Sequence, residues 1–115
     1  MNIYLNTDNH IQATDNLRTE VDETLTQILG RFEDRLTRLE VHLADVDGSK
    51  KHGEADKRCT LESRPAGLKP LTVTAEGPNL TQAVRAAAEK LKSALESALG
   101  KLSNQKGSVS MAGPQ

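Results

Sequence analysis

Residues 80–102, LTQAVRAAAEKLKSALESALGKL, decide how the rest of the chain is to be read. Leu80, Val84, Ala87, Leu91, Leu95, Ala98 and Leu102 recur at steps of three and four, the spacing that keeps one face of an α-helix apolar. Ala, Leu, Lys and Glu dominate the interior, so helix propensity agrees with the pattern. Asn79 and Thr81 are N-cap types, and Pro78 cannot extend a helix backward. Gly100 weakens only the last turn. Arg85, Lys90, Lys92 and Lys101 are placed opposite the apolar stripe, with Glu89 and Glu96 among them. Such a helix needs an apolar surface to lie on.

The upstream chain can supply that surface. Asn2-Ile3-Tyr4-Leu5-Asn6 alternates polar and apolar residues, a short strand with Ile3 and Leu5 inward, and Thr7-Asp8-Asn9 reads as a turn. A second helical pattern follows Thr14 or Asp15 as N-cap, with Leu17, Val21, Leu25, Ile28 or Leu29, and Phe32 apolar. Its acidic first turns suit the helix macrodipole, and Gly30 ends or kinks it. From Leu36 the period changes to two. Leu39, Val41 and Leu43 share one face, with Arg38, Glu40 and His42 on the other. Residues 47–54, DGSKKHGE, form a polar loop longer than a tight hairpin turn. Cys59 and Leu61 then mark a third strand, Arg64-Pro65-Ala66-Gly67 a turn, and Leu71, Val73 and Ala75 a fourth strand.

The order is therefore strand, helix, three strands, helix. A helix between the first two strands favours a right-handed crossover with parallel pairing, and loop-joined strands favour an antiparallel meander. The expectation is an α+β two-layer sandwich, β-α-β-β-β-α, with both helices on one face of a four-stranded mixed sheet. Its other face would carry Tyr4, Arg38, Glu40, His42, Arg58, Thr60, Glu62, Thr72, Thr74 and Glu76 to solvent. One domain spans residues 1–102. Residues 103–115, SNQKGSVSMAGPQ, lack periodicity and read as a disordered tail.

A chain of 115 residues suffices for one modest core. Its formal net charge of -1 gives no bulk attraction to a polyanion. The distribution is uneven: residues 1–48 hold four basic against ten acidic side chains, and residues 49–115 hold eleven basic against six acidic. A dipolar molecule with a basic C-terminal half and two ordinary solvated surfaces both fit that division. The single cysteine, Cys59, precludes an intrachain disulfide and alternates into the core side of its strand. No apolar run reaches transmembrane length, and the N-terminus lacks a basic-then-apolar signal pattern, so a soluble cytoplasmic protein is expected.

Within this frame, LEVHLADVDGSKKHGEADKRCTLESR, then a strand ending in AEG, then NLTQAVRAAAEKL, resembles the ribosome hibernation factors. These are the hibernation promoting factor and ribosome-associated inhibitor A group, also called the ribosomal subunit interface family. The resemblance, to the short form of that family, spans residues 1–102. Its most specific pieces are Asp56-Lys57-Arg58-Cys59 and the Glu76-Gly77 junction into the last helix. It implies partners in the small ribosomal subunit and its ribosomal RNA. Basic residues on the helices would contact RNA near the decoding region and sterically exclude messenger and transfer RNA.

Two groups of cations are candidates for such contacts. Lys50, Lys51 and His52, with Lys57 and Arg58, would place cations at one edge of the sheet. Read without the resemblance, a Lys-rich loop also suits a solvated guard against edge aggregation. Arg85, Lys90, Lys92 and Lys101 would form a phosphate-tracking stripe on the last helix, or simply its solvated side. Tyr4 and Phe32 are the only aromatics, which excludes a base-stacking sheet of the RRM or cold-shock type. His10, His42 and His52 have no metal-ligand spacing with one another or with Cys59. No catalytic constellation is visible, and no cofactor, metal, small-molecule substrate or membrane is expected. The alternative to a translation-silencing RNA binder is a protein-interaction module on the same scaffold, which would bind tolerantly of salt or form a stable homodimer.

Overall fold

The computed structural model describes residues 1–46 and 56–107. Its elements follow the expected order: β1 (Asn2–Thr7), α1 (Asp15–Leu29), β2 (Arg38–Asp45), β3 (Lys57–Ser63), β4 (Leu71–Gly77) and α2 (Leu80–Gly107). A single 3-10 turn, Gly30–Phe32, continues from the end of α1. The sheet order is β1-β2-β3-β4, with β1 parallel to β2 and both other pairings antiparallel. This is the α+β arrangement that the periodicities predict.

Local chemistry explains the boundaries. The Thr14 side chain accepts from the Leu17 N–H at 3.1 Å, fixing the first turn of α1. The Asn79 side chain accepts from the Gln82 N–H at 2.9 Å and does the same for α2. Gly77 suits the β4–α2 junction, because an added Cβ would lie 3.0 Å from the Ala83 backbone nitrogen and force a small shift there. In the β3–β4 turn, Gly67 takes φ +81, a left-handed conformation that favours glycine. Arg35 clamps that turn: its guanidinium donates to the Ala66 carbonyl, and the Ala66 N–H donates back to the Arg35 carbonyl at 3.0 Å.

The helix-facing side of the sheet supplies Leu39, Val41, Leu43, Cys59, Leu61 and Ala75 to the core. Val21, Leu25 and Leu29 of α1 and Ala83, Val84, Ala87, Ala88, Leu91 and Leu95 of α2 close over them, joined by Phe32 and Leu36. Ile3 and Leu5 on the edge strand β1 are only half-buried against this cluster. Burial pushes the Cys59 thiol up to about 12, so it is a small core residue with no thiolate at neutral pH.

Two sequence expectations meet limits here. α2 runs to Gly107, five residues past the expected domain end at Leu102. Ser103 to Lys106 add no apolar stripe, but extending an existing helix needs no new nucleus. The loop 47–54 and residues 108–115 lie outside the described residues.

Candidate nucleic-acid interface

Among the described residues, the candidate cations do not converge on one surface. Lys50 and Lys51 lie outside the described residues. Lys57 and Arg58 are neighbours in sequence, so the strand sends them to opposite faces. Lys57 sits on the helix side, half-buried, with its Nζ 3.9 Å from Asp45 Oδ2. Arg58 stands on the open face, where its Nε and Nη2 donate to Glu76 Oε2 at 3.0 and 2.8 Å. Arg58 and Glu76 are directly paired across β3 and β4, which explains the contact.

On α2 the expected single stripe resolves into two. Arg85 and Lys92 are seven residues apart and share one line along the helix; Lys90 and Lys101 share another, roughly 150° away. The row farthest from the core passes through exposed Gln82, Glu89, Ser93 and Gly100 instead. The Arg85–Lys92 line faces the α1 side, where Glu96 on the next turn pairs with Arg31 at 3.2 Å. The Lys90–Lys101 line overhangs the outer edge of β4. There the Lys90 Nζ donates to the Thr74 carbonyl at 2.8 Å, capping an acceptor that an edge strand leaves open.

α1 contributes the opposite charge. Asp15, Glu20, Asp22 and Glu23 are all exposed on it, with Arg18 as its one cation. The outer surface of the helical layer therefore passes from acidic over α1 to mixed and basic over α2.

Four further cations, Arg35, Arg38, Arg64 and Lys69, gather at the end of the sheet where β2 starts, β3 ends and β4 starts. Arg38 stacks 4.2 Å from the centroid of the Tyr4 ring and pairs with Glu40 at 3.0 Å. Arg38 and Arg64 line an open crevice with Glu40, Glu62, Ser63, Pro70 and Thr72. Sequence proximity does not group these four. The available signal is the antiparallel register, which sets Leu39 opposite Ser63 and Ser63 opposite Leu71.

A family model described as sigma 54 modulation protein / S30EA ribosomal protein matches residues 6–103. The chain belongs to this family. The match covers α1, β2, β3 and β4 in full, the last two residues of β1, and α2 as far as Ser103, in agreement with the resemblance to hibernation promoting factors. Among solved structures, this family member is similar to the N-terminal domain of Thermus thermophilus Protein Y, with TM-score 0.64 and 26% identity. That alignment covers 81% of this chain and 93% of the other. A ribosomal subunit interface protein from Coxiella burnetii shares the fold, with TM-score 0.66, 15% identity, and coverage of 84% and 96%. No curated protein sequence matches the chain. No helix among the described residues is long and apolar enough to cross a membrane.

Proposed function

We propose that this family member is a cytoplasmic ribosome-associated factor that binds small-subunit ribosomal RNA near the decoding region. There it would exclude messenger and transfer RNA by occupying their space. The observation that carries the reading is the family match over residues 6–103, on a fold shared with a ribosomal subunit interface protein. The exposed flanks of α2 support it physically. Arg85 and Lys92 on one side, and Lys90 and Lys101 on the other, can reach phosphates on both walls of an RNA groove. Inhibition by occupancy needs affinity and shape rather than bond-making chemistry, and the buried Cys59 thiol plays no part in it.

A second reading is a protein-interaction module. The pairing of Arg58 with Glu76, Arg31 with Glu96 and Lys57 with Asp45 favours it, because internally paired cations are less available to phosphate. Co-sedimentation with purified small ribosomal subunits separates the two. Saturable binding at low salt, displaced by messenger RNA with initiator transfer RNA, supports the ribosomal reading. Absence of binding at low salt overturns it, and a homodimer by light scattering would then favour the second.

A further inference from the structure

The open face of the sheet carries a cluster that the ribosomal reading does not use. Glu40 and His42 are two residues apart on β2, so both project from that face. Glu62 on β3 lies directly across from Glu40 and diagonal to His42. The Nε2 of His42 is 3.6 Å from Glu40 Oε1 and 3.7 Å from Glu62 Oε1. One donor atom from each of the three side chains lies within 4.8 Å of the other two.

Two observations set this cluster apart from ordinary surface ion pairs. The His42 side chain is 41% exposed, but its Nε2 atom is covered and has no hydrogen-bond partner among the described residues. Covered polar atoms nearly always have one. Glu40 and Glu62 are also like charges at a directly opposed cross-strand pair, which weakens a sheet. Arg38 offsets the charge of Glu40 but pairs with that carboxylate alone. It engages Glu40 Oε2, at 3.1 Å from Nε and 3.0 Å from Nη2, and leaves Oε1 turned toward His42.

We propose that Glu40, His42 and Glu62 form a binding site for a divalent, zinc-like cation. Zinc takes imidazole nitrogen and carboxylate oxygen at about 2.0–2.2 Å, which sets neighbouring donors roughly 3.4 Å apart around a tetrahedral ion. The two separations from Nε2 exceed that by a few tenths of an ångström, within the reach of small side-chain rotations. An imidazole among the donors selects a borderline metal over magnesium or calcium, which prefer oxygen alone. The ion would cancel the opposed carboxylate charges and tie β2 to β3 on the face that no helix covers. Cys59 points to the other side of the sheet and takes no part.

The test is calorimetric titration of the full chain, stripped with chelator, with zinc chloride, together with nitrogen-edited NMR of the histidine side chains. The expected result is one equivalent bound, a higher melting temperature, and a shift of the His42 Nε2 resonance that His10 and His52 do not share. Loss of an outer partner of a metal site costs about 10–100-fold in affinity, so His42→Gln and Glu62→Gln should each lose at least about tenfold. Both positions are on the solvent side, so the metal-free variants should remain folded. Zinc that does not bind overturns the proposal, as does binding that survives His42→Gln or shifts only His10 or His52.

Discussion

α1 presents Val21, Leu25 and Leu29 to the core, whereas α2 presents Ala83, Ala87 and Ala88 together with Leu91 and Leu95. The difference sets how each helix lies. Small side chains let the α2 backbone come close against β3 and β4, while α1 makes its close backbone contacts with α2 rather than with the sheet. A crevice remains beneath α1, lined by Ile3, Leu5, Arg18, Thr19, Val21 and Asp22. The outward charges divide the same way, acidic on α1 and more basic on α2. Close packing and the candidate RNA contacts thus fall on one helix, and the looser, acidic side falls on the other.

The largest expected effect comes from emptying the position that α2 fills most completely. Leu91→Ala should cost about 2–5 kcal/mol in a chemical denaturation experiment, because a fully buried leucine leaves both lost transfer energy and a cavity. A variant of unchanged stability would remove α2 from its central place. The contrast in approach is sharpened by enlarging one residue on each helix. Ala87→Leu should cost about 1–3 kcal/mol by overpacking a close contact. Val21→Leu, buried but beside the crevice, should cost less, at most about 1 kcal/mol, the low end for one added methylene. Equal penalties would contradict the difference in packing.

A smaller effect is expected at the turn that leads from β1 toward α1. Asp8 accepts from the Asp45 N–H and the His10 N–H, each at 2.9 Å, and these bonds lower its pKa, the Asp45 bond most. A lowered carboxyl pKa contributes stability above the unfolded value of about 3.9 and loses it as pH falls through the folded value. The melting temperature of Asp8→Ala should therefore lie below that of the parent at neutral pH, with the gap narrowing below about pH 4. A gap that holds constant into acid would show that the charge of Asp8 is immaterial.

Much of this molecule is legible from periodicity alone. The α2 stripe, the Thr14 cap and the inward Leu39, Val41 and Leu43 follow from residue type and spacing. What sequence leaves hidden depends on register or on distant partners. Lys57 and Arg58 look like one basic site in a line of text and occupy opposite faces in a strand. Arg85, Lys90, Lys92 and Lys101 look like one stripe because all avoid the core, yet they flank it on two sides. The clamp of Arg35 on Ala66, and the approach of Glu62 to His42, each need elements brought together over long sequence separations. The extension of α2 past Leu102 is not legible because residues 103–107, SNQKG, carry no apolar periodicity.

The measurement that tests the central claim most directly is the salt dependence of binding to small ribosomal subunits. The parent chain is compared with Arg85→Gln/Lys92→Gln on α2 and with Glu20→Gln/Glu23→Gln on α1. Each phosphate contact contributes about 0.7–0.9 to the slope of log affinity against log salt. The α2 pair should reduce the slope by about 1.4–1.8 and weaken binding at low salt. The α1 pair should leave the slope unchanged and strengthen binding slightly. Binding that is indifferent to salt, or equally affected by both pairs, would contradict an RNA contact carried by α2.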